Sequence, residues 1–274
     1  MVNRARQIAA KDAALFLKKK LRIKGNVSTA IILGTGWGDK ITVEYPKHVS
    51  FEDVPGFSLL QKIEGHRRRF VYGKVEGKNV MVLQGRVHLN EDPGNPEIFK
   101  MVRLQVEVLM QLGVKNLILT CAAGALPGSA AKKDGVVIIE GFMSLFSPQM
   151  PLWAGEFRSP EDTLTIRLSQ LAWSQRRHFI GETTTGVYAM VLGPNFEGRM
   201  KDKQALSDAG ASIVGMSMIP EACVAALYPD VEVMGLAFIT NGPSEVHSHE
   251  ANVDEAKKFG EGLSKYLTQI VKVL

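Results

Sequence analysis

The sequence predicts an α/β fold, a single domain with a largely parallel or mixed central β-sheet flanked by helices. Three observations carry that expectation. Short apolar runs rich in β-branched residues lie at 28–33 (STAIIL), 79–83 (NVMVL), 116–120 (NLILT), 135–139 (GVVII), 186–192 (GVYAMVL), 212–216 (SIVGM) and 232–240 (EVMGLAFIT). They are nearly continuous in hydrophobicity rather than alternating, the pattern of strands covered on both faces. Stretches of helical period separate several of them, so strand and helix alternate along the chain. No internal repeat, low-complexity segment or Pro/Gly/Ser linker divides the 274 residues, which points to one domain over 1–274.

Taken in order, an amphipathic stretch with Ile8, Leu15 and Phe16 ends in Lys18-Lys19-Lys20, cations suited to a helix C-terminus. The strands at 28–33 and 79–83 follow, then a helix over 97–112 closed by Gly113, where a left-handed cap is expected. After the strands at 116–120 and 135–139, the region 141–160 is the least regular. With Pro148, Pro151, Gly155 and Pro160 it reads as a loop that covers a site or meets a neighbouring subunit. Helices are expected at 161–174, at 201–209 before Gly210, at 220–228 and over a long stretch from 251 to 272, interleaved with the strands at 186–192, 212–216 and 232–240.

Composition narrows the function. Lys and Arg number 33 against 28 Asp and Glu, and the resulting +5 is modest for this length. The tight basic groups are Lys18–Lys20 and Arg67–Arg69, and the first is ordinary helix-end complementation, so no nucleic-acid surface is expected. Cys121 and Cys223, in apolar surroundings more than a hundred residues apart, suggest neither a disulfide framework nor a thiolate metal site. His66, His88, His247 and His249 lack acid and thiol partners at ligand spacing, so no metal is expected. No run has the shape of a signal segment or the roughly 20 apolar residues of a membrane span. The expectation is a cytoplasmic protein without a membrane partner.

The polar residues fall just after the strands. Gly34-Thr35-Gly36-Trp37-Gly38 follows the first, Gln84-Gly85-Arg86-Val87-His88 the second and Cys121-Ala122-Ala123-Gly124 the third. Later come Gly193-Pro194-Asn195-Phe196-Glu197, Gly215-Met216-Ser217 and Thr240-Asn241-Gly242. Ligands of α/β sheets bind beyond the carboxyl ends of strands, so these segments are expected to converge on one crevice holding Thr35, Arg86, His88, Glu197, Ser217 and Asn241. The glycine loop lets backbone N–H groups approach an anion, Thr35 and Ser217 add hydroxyls, and Arg86 suits two oxygens of a phosphate. Glu197 and Asn241 offer an acceptor and an amide for the edge of a heterocycle, with Phe196 and Met216 as apolar faces. GTGWG is neither a dinucleotide fingerprint nor a P-loop, and read alone it is more often a tight turn.

The blocks IILGTGWG (31–38), VPGF (54–57) with EGHRRRFVYG (64–73), VMVLQGRVHLNE (80–91), LILTCAAGAL (117–126), VLGPNFEG (191–198), VGMSMIPE (214–221) and GLAFITN (235–241) run in the order of a known family. Through them the chain resembles the trimeric purine nucleoside phosphorylases. The resemblance implies a central mixed sheet, partly barrel-like, a homotrimer with sites near subunit interfaces, and phosphorolysis of purine nucleosides to free base and ribose 1-phosphate in purine salvage. It implies no cofactor, inorganic phosphate being a co-substrate. By position Thr35, His66, Arg86, His88, Ser217 and the backbone N–H of Ala122 resemble the phosphate site. Phe196, Glu197 and Asn241 resemble the purine site, and Met216 the residue beneath the sugar. His88, Glu197 and Asn241 are the residues this assigns to catalysis.

Departures from the family pattern gather around the sugar. Asn90 stands where an aromatic is usual, Cys121 replaces an Asn, Gly242-Pro243 breaks the run after Asn241, and Arg67-Arg68 replaces small residues beside His66. Val253 falls where many members carry a His near the ribose 5′ group. An apolar neighbour there suits a 5′-methylthio group, so a methylthio-nucleoside phosphorylase is the alternative enzyme, and a non-catalytic purine-binding relative the alternative of another class.

Overall fold

Among the residues described by the computed structural model (4–37, 41–57, 67–92, 94–145, 150–191, 200–245 and 248–274) nine strands form one sheet. In chain order the elements are α1 (Arg4–Leu21), β1 (Thr29–Leu33), β2 (Glu44–Ser50), β3 (Arg69–Val75), β4 (Lys78–Gln84), α2 (Pro96–Leu112), β5 (Asn116–Ala125), β6 (Val136–Met143), α3 (Ile166–Gln175), β7 (Thr183–Met190), α4 (Lys201–Asp208), β8 (Ile213–Gly215), α5 (Ile219–Ala225), β9 (Glu232–Asn241), α6 (His249–Lys258) and α7 (Gly260–Val273).

The spatial order is β2-β3-β4-β1-β5-β8-β7-β6-β9, and β9 pairs again with β5. Strands β5, β8, β7, β6 and β9 therefore close a ring, while β1, β4, β3 and β2 extend from β5 as an open wing. The sheet is mixed: β1 runs parallel to both β4 and β5, β5 parallel to β9, and β2–β3, β3–β4, β5–β8 and β6–β9 are antiparallel. This is the α/β architecture expected, with its partial barrel.

Burial on both faces explains the continuous apolar runs. All five residues of β1 are buried. Ala30 and Ile32 join one apolar cluster with Leu17 of α1, Leu109 of α2 and Val224 of α5. Ile31 and Leu33 face the opposite cluster with Leu168 of α3 and Leu267 of α7. Burying such a side chain contributes about 1.5–3 kcal/mol, so a one-residue register slip here loses two cores at once.

Local signals set the helix ends. The Asn95 side chain accepts from Glu97 N, Pro96 occupies the first turn, and Gly113 at φ 99° closes α2 by donating to Leu109 O and Met110 O. Lys18, Lys19 and Lys20 lie in the last turn of α1, as the charge pattern suggested. The single helix expected over 251–272 is two helices, α6 and α7, which break at Phe259. The helix expected over 161–174 is a 3-10 turn, Pro160–Thr163, followed by α3, whose N-cap Thr165 accepts from Leu168 N.

Strands β2 and β3 carry no apolar-run signal. Five residues of β2 are exposed, as befits an edge strand. Within β3, Gly73 sits where a Cβ would lie 2.5 Å from Glu44 O, so the close approach of the β2 irregularity excludes any side chain. The irregular region 141–160 is partly strand, since β6 runs to Met143. Its later part is pinned to α2, where Arg103 donates to Glu156 Oε2 at 2.5 Å, Glu156 Oε1 at 3.0 Å and Glu107 Oε1 at 2.7 Å.

Candidate active site

The chain leaves β4 at Gln84, and Gly85, at φ 95°, turns it out of the ladder. Backbone groups beyond that turn need other partners. Val87 N donates to Gln105 Oε1 (2.9 Å) and Val87 O accepts from Gln105 Nε2 (3.1 Å), both bonds coming from one fully buried amide on α2. His88 N donates to Glu91 Oε1 (2.7 Å), and Glu91 N returns to His88 O (3.2 Å). Side chains rather than a neighbouring strand thus fix residues 87 and 88.

Arg86 is wholly buried. Its Nη1 donates to Glu221 Oε1 at 2.8 Å, and its Nη2 to Ile32 O at 3.3 Å and to Thr120 O. The guanidinium therefore ties the ends of β1 and β4 to the middle of β5 and the first turn of α5. Both terminal nitrogens of the guanidinium thus meet acceptors of the protein itself. The sequence does not single out Glu221, Gln105 or Thr120, whose roles arise from contacts distant along the chain.

The glycine loop is clamped on three sides. Gly34 N donates to Thr120 Oγ1 (3.0 Å), and a Cβ at Gly34 would sit 2.4 Å from Thr120 O. Trp37 N closes a turn onto Gly34 O (3.0 Å), and the buried indole donates to Cys121 O (2.9 Å). Gly36, at φ 84°, leaves room for Ala256 of α6, which a Cβ would overlap at 2.2 Å. Thr35 sits half-buried at the tip. The tight-turn reading is correct, and it holds the loop against β5.

Ser217 is buried, and its N donates to Tyr188 Oη (3.0 Å). The next residue, Met218, has φ 69° and ψ −52°. Such a backbone costs a non-glycine residue of order 1–3 kcal/mol and persists where its surroundings dictate it. Here Ala222 N donates to Met218 O (2.9 Å) and Ile219 N to Ser217 O (2.9 Å). Burial pushes the Tyr188 hydroxyl well above its ordinary value, so it stays protonated. Burial likewise pushes the Cys121 thiol up to about 12, although Arg86 opposes the shift, so Cys121 is no nucleophile near neutral pH.

Ala122 lies inside β5, in register with Phe238, rather than in a loop after the strand. The segment read as a post-strand loop is strand to Ala125, with an irregularity between Ala123 and Gly124 opposite Asn241. Asn241 ends β9 and is buried, and its Oδ1 accepts from Thr240 Oγ1 (3.1 Å). Gly124 makes that possible, since a Cβ there would lie 2.8 Å from Asn241 Nδ2. The following residues are tied back, Gly242 N to Glu245 Oε2 (3.1 Å) and the buried Lys203 Nζ to Pro243 O (3.0 Å).

Met216 is half-buried between β8 and Ser217, and Asn90 is half-buried in the 3-10 turn Leu89–Glu91. Val253 is buried on α6, the helix whose Ala256 meets Gly36. Arg86, Thr35, Ser217, Ala122 and Asn241 are thus assembled from the ends of β1, β4, β8 and β9 around β5. His66, Phe196 and Glu197 lie outside the described residues. Among the described residues no group of three His, Cys, Asp or Glu could hold a metal ion, and no helix is long and apolar enough to cross a membrane.

Residues 28–273 match the phosphorylase superfamily. Purine nucleoside phosphorylase 1 of Geobacillus stearothermophilus is 30% identical over 274 residues, covering 97% of this chain and 96% of that one. This chain belongs to the purine nucleoside phosphorylases of that superfamily. The purine nucleoside phosphorylase of Bos taurus is also 30% identical, over 260 residues and 89% and 87% of the two chains. In three dimensions the chain superposes on isoform 2 of Schistosoma mansoni purine nucleoside phosphorylase, solved in complex with cytosine and ribose 1-phosphate. The TM-score is 0.83 at 25% identity, over 97% and 96% of the chains. A Schistosoma mansoni purine nucleoside phosphorylase in complex with adenosine gives 0.81 at 25% identity, over the same shares.

Proposed function

We propose that this phosphorylase cleaves 6-oxopurine nucleosides, inosine and guanosine, with inorganic phosphate, releasing the base and ribose 1-phosphate for purine salvage. The observation that carries the 6-oxopurine choice is the amide of Asn241. Its oxygen accepts the Thr240 hydroxyl, and its Nδ2 holds Gly242 O only at 3.5 Å, so Nδ2 is the group to present to a ligand. An amide donor complements O6 and N7 of a 6-oxopurine and opposes a 6-amino group.

In this reading bond breaking develops oxocarbenium character on the sugar and negative charge on the departing purine. Phosphate, carrying about −1.5 to −2 charge by analogy with a phosphoryl group, is both nucleophile and counter-charge to the sugar. Thr35, His66, His88, Ser217 and the N–H of Ala122 hold it in line, which is a positioning effect, and Arg86 sets the positive field beneath it. Phe196 and Glu197 take the purine face and N1–H. Asn241 stabilises charge building at N7, while Met216, Asn90 and Val253 border the ribose. No covalent enzyme intermediate and no organic cofactor is required. A homotrimer in the cytoplasm completes the reading.

A second reading rests on Val253, an apolar side chain buried on α6, the helix whose Ala256 meets the glycine loop. It favours a 5′-methylthio group over a hydroxyl, and with Asn241 it specifies methylthioinosine. Phosphate-dependent rates on inosine, guanosine, adenosine, methylthioinosine and methylthioadenosine measured side by side test both readings. Inosine and guanosine are expected to exceed adenosine by about 100-fold or more in kcat/KM. Methylthioadenosine turned over as well as inosine overturns the 6-oxopurine assignment, and no turnover of any nucleoside leaves a purine-binding relative.

A further inference from the structure

Arg68 stands at the start of β3 with φ 49°, a left-handed backbone that glycine adopts at no cost and arginine does not. The strain is held from both sides: Arg68 N donates to Gln84 O (2.7 Å), and Phe51 N donates to Arg68 O (2.8 Å). The side chain turns inward instead of into water. Its Nη2 lies 2.7 Å from Glu91 Oε2, with 10% of the arginine side chain and 3% of the glutamate exposed. The other oxygen of that carboxylate is the acceptor for His88 N. A continuous path therefore runs from a strained arginine, through one buried carboxylate, to the main chain of the imidazole beside Arg86.

Resting on the phosphate-site reading above, we propose that Arg68 is a positioning residue of that site. By ion-pairing with Glu91 it fixes the backbone of His88, and with it the imidazole that meets the phosphate. The physical need is plain. Burial raises the Glu91 carboxyl above its ordinary range, while the His88 N–H and then Arg68 act against that shift. Without Arg68 the buried carboxylate loses its cation and grips His88 N less well. Residues 86–88 are flanked by two buried arginine–glutamate pairs, Arg86 with Glu221 and Arg68 with Glu91. The first sets the field and the second the geometry.

Arg68→Gly is a clean probe because glycine removes the guanidinium and relieves the backbone together. Phosphate saturation of inosine cleavage is measured for the parent, Arg68→Gly and Arg68→Lys. Arg68→Gly is expected to raise the KM for phosphate about tenfold while kcat at saturating phosphate and the KM for inosine change less than about threefold, and Arg68→Lys to recover most of that loss by keeping the charge. A parent that saturates with phosphate beside an Arg68→Gly variant of unchanged phosphate KM overturns the role of Arg68 alone. A parent whose cleavage ignores phosphate overturns the site reading on which it rests.

Discussion

Arg86 and Glu221 form a buried pair whose two charges must each be taken out of water, and such pairs seldom add net stability. Arg86→Met leaves the Glu221 carboxylate buried without its cation and should cost about 3–5 kcal/mol, read as a fall in the urea midpoint. Arg86→Met with Glu221→Met should recover most of that loss while remaining inactive. A double variant no more stable than the single one would show that the pair is kept for stability and not for the site. At this scale the sequence reveals Arg86 and His88 through their period of two at a strand end. It does not reveal Glu221, because a contact spanning 135 residues leaves no trace in local spacing. Gln105 is hidden for a related reason: inside a helical pattern an amide reads as one more polar position, and only the unpaired backbone at Val87 explains its burial.

Among elements, β5 does most to assemble the site. Gly34 N, the Trp37 indole and the Arg86 guanidinium all bond to its residues Thr120 or Cys121, and Asn241 packs against its Gly124. Gly124→Ala would place a methyl 2.8 Å from Asn241 Nδ2 and 3.3 Å from Oδ1, forcing the amide out of place. Stability should fall by about 1–3 kcal/mol, the ordinary cost of overpacking. kcat/KM for inosine should fall about 100-fold, and steady-state kinetics with a thermal melt checks both; full activity in a folded variant would separate Asn241 from the reaction. The apolar runs marked seven strands because each is buried on both faces. β2 escaped because an exposed edge strand needs no apolar residues, β3 because Arg69, Gly73 and Lys74 interrupt its apolar residues, and the end of β5 because Cys-Ala-Ala-Gly lacks the β-branched signal.

For the molecule as a whole, the wing and the ring meet at β5, and parallel strands β4, β1, β5 and β9 deliver their carboxyl ends to one place. The general rule that ligands of α/β sheets bind beyond the carboxyl ends of strands makes that place the candidate site. The closed ring was legible only through the resemblance of ordered motifs, since no local pattern encodes the return of β9 to β5. In the proposed reading the junction binds phosphate as the nucleophile of glycosidic cleavage. Hypoxanthine release from inosine, followed as phosphate is raised from zero, tests it most directly. The release should saturate with phosphate, vanish without it, and form ribose 1-phosphate mole for mole. Release at an unchanged rate in phosphate-free buffer, with free ribose as the product, would contradict it.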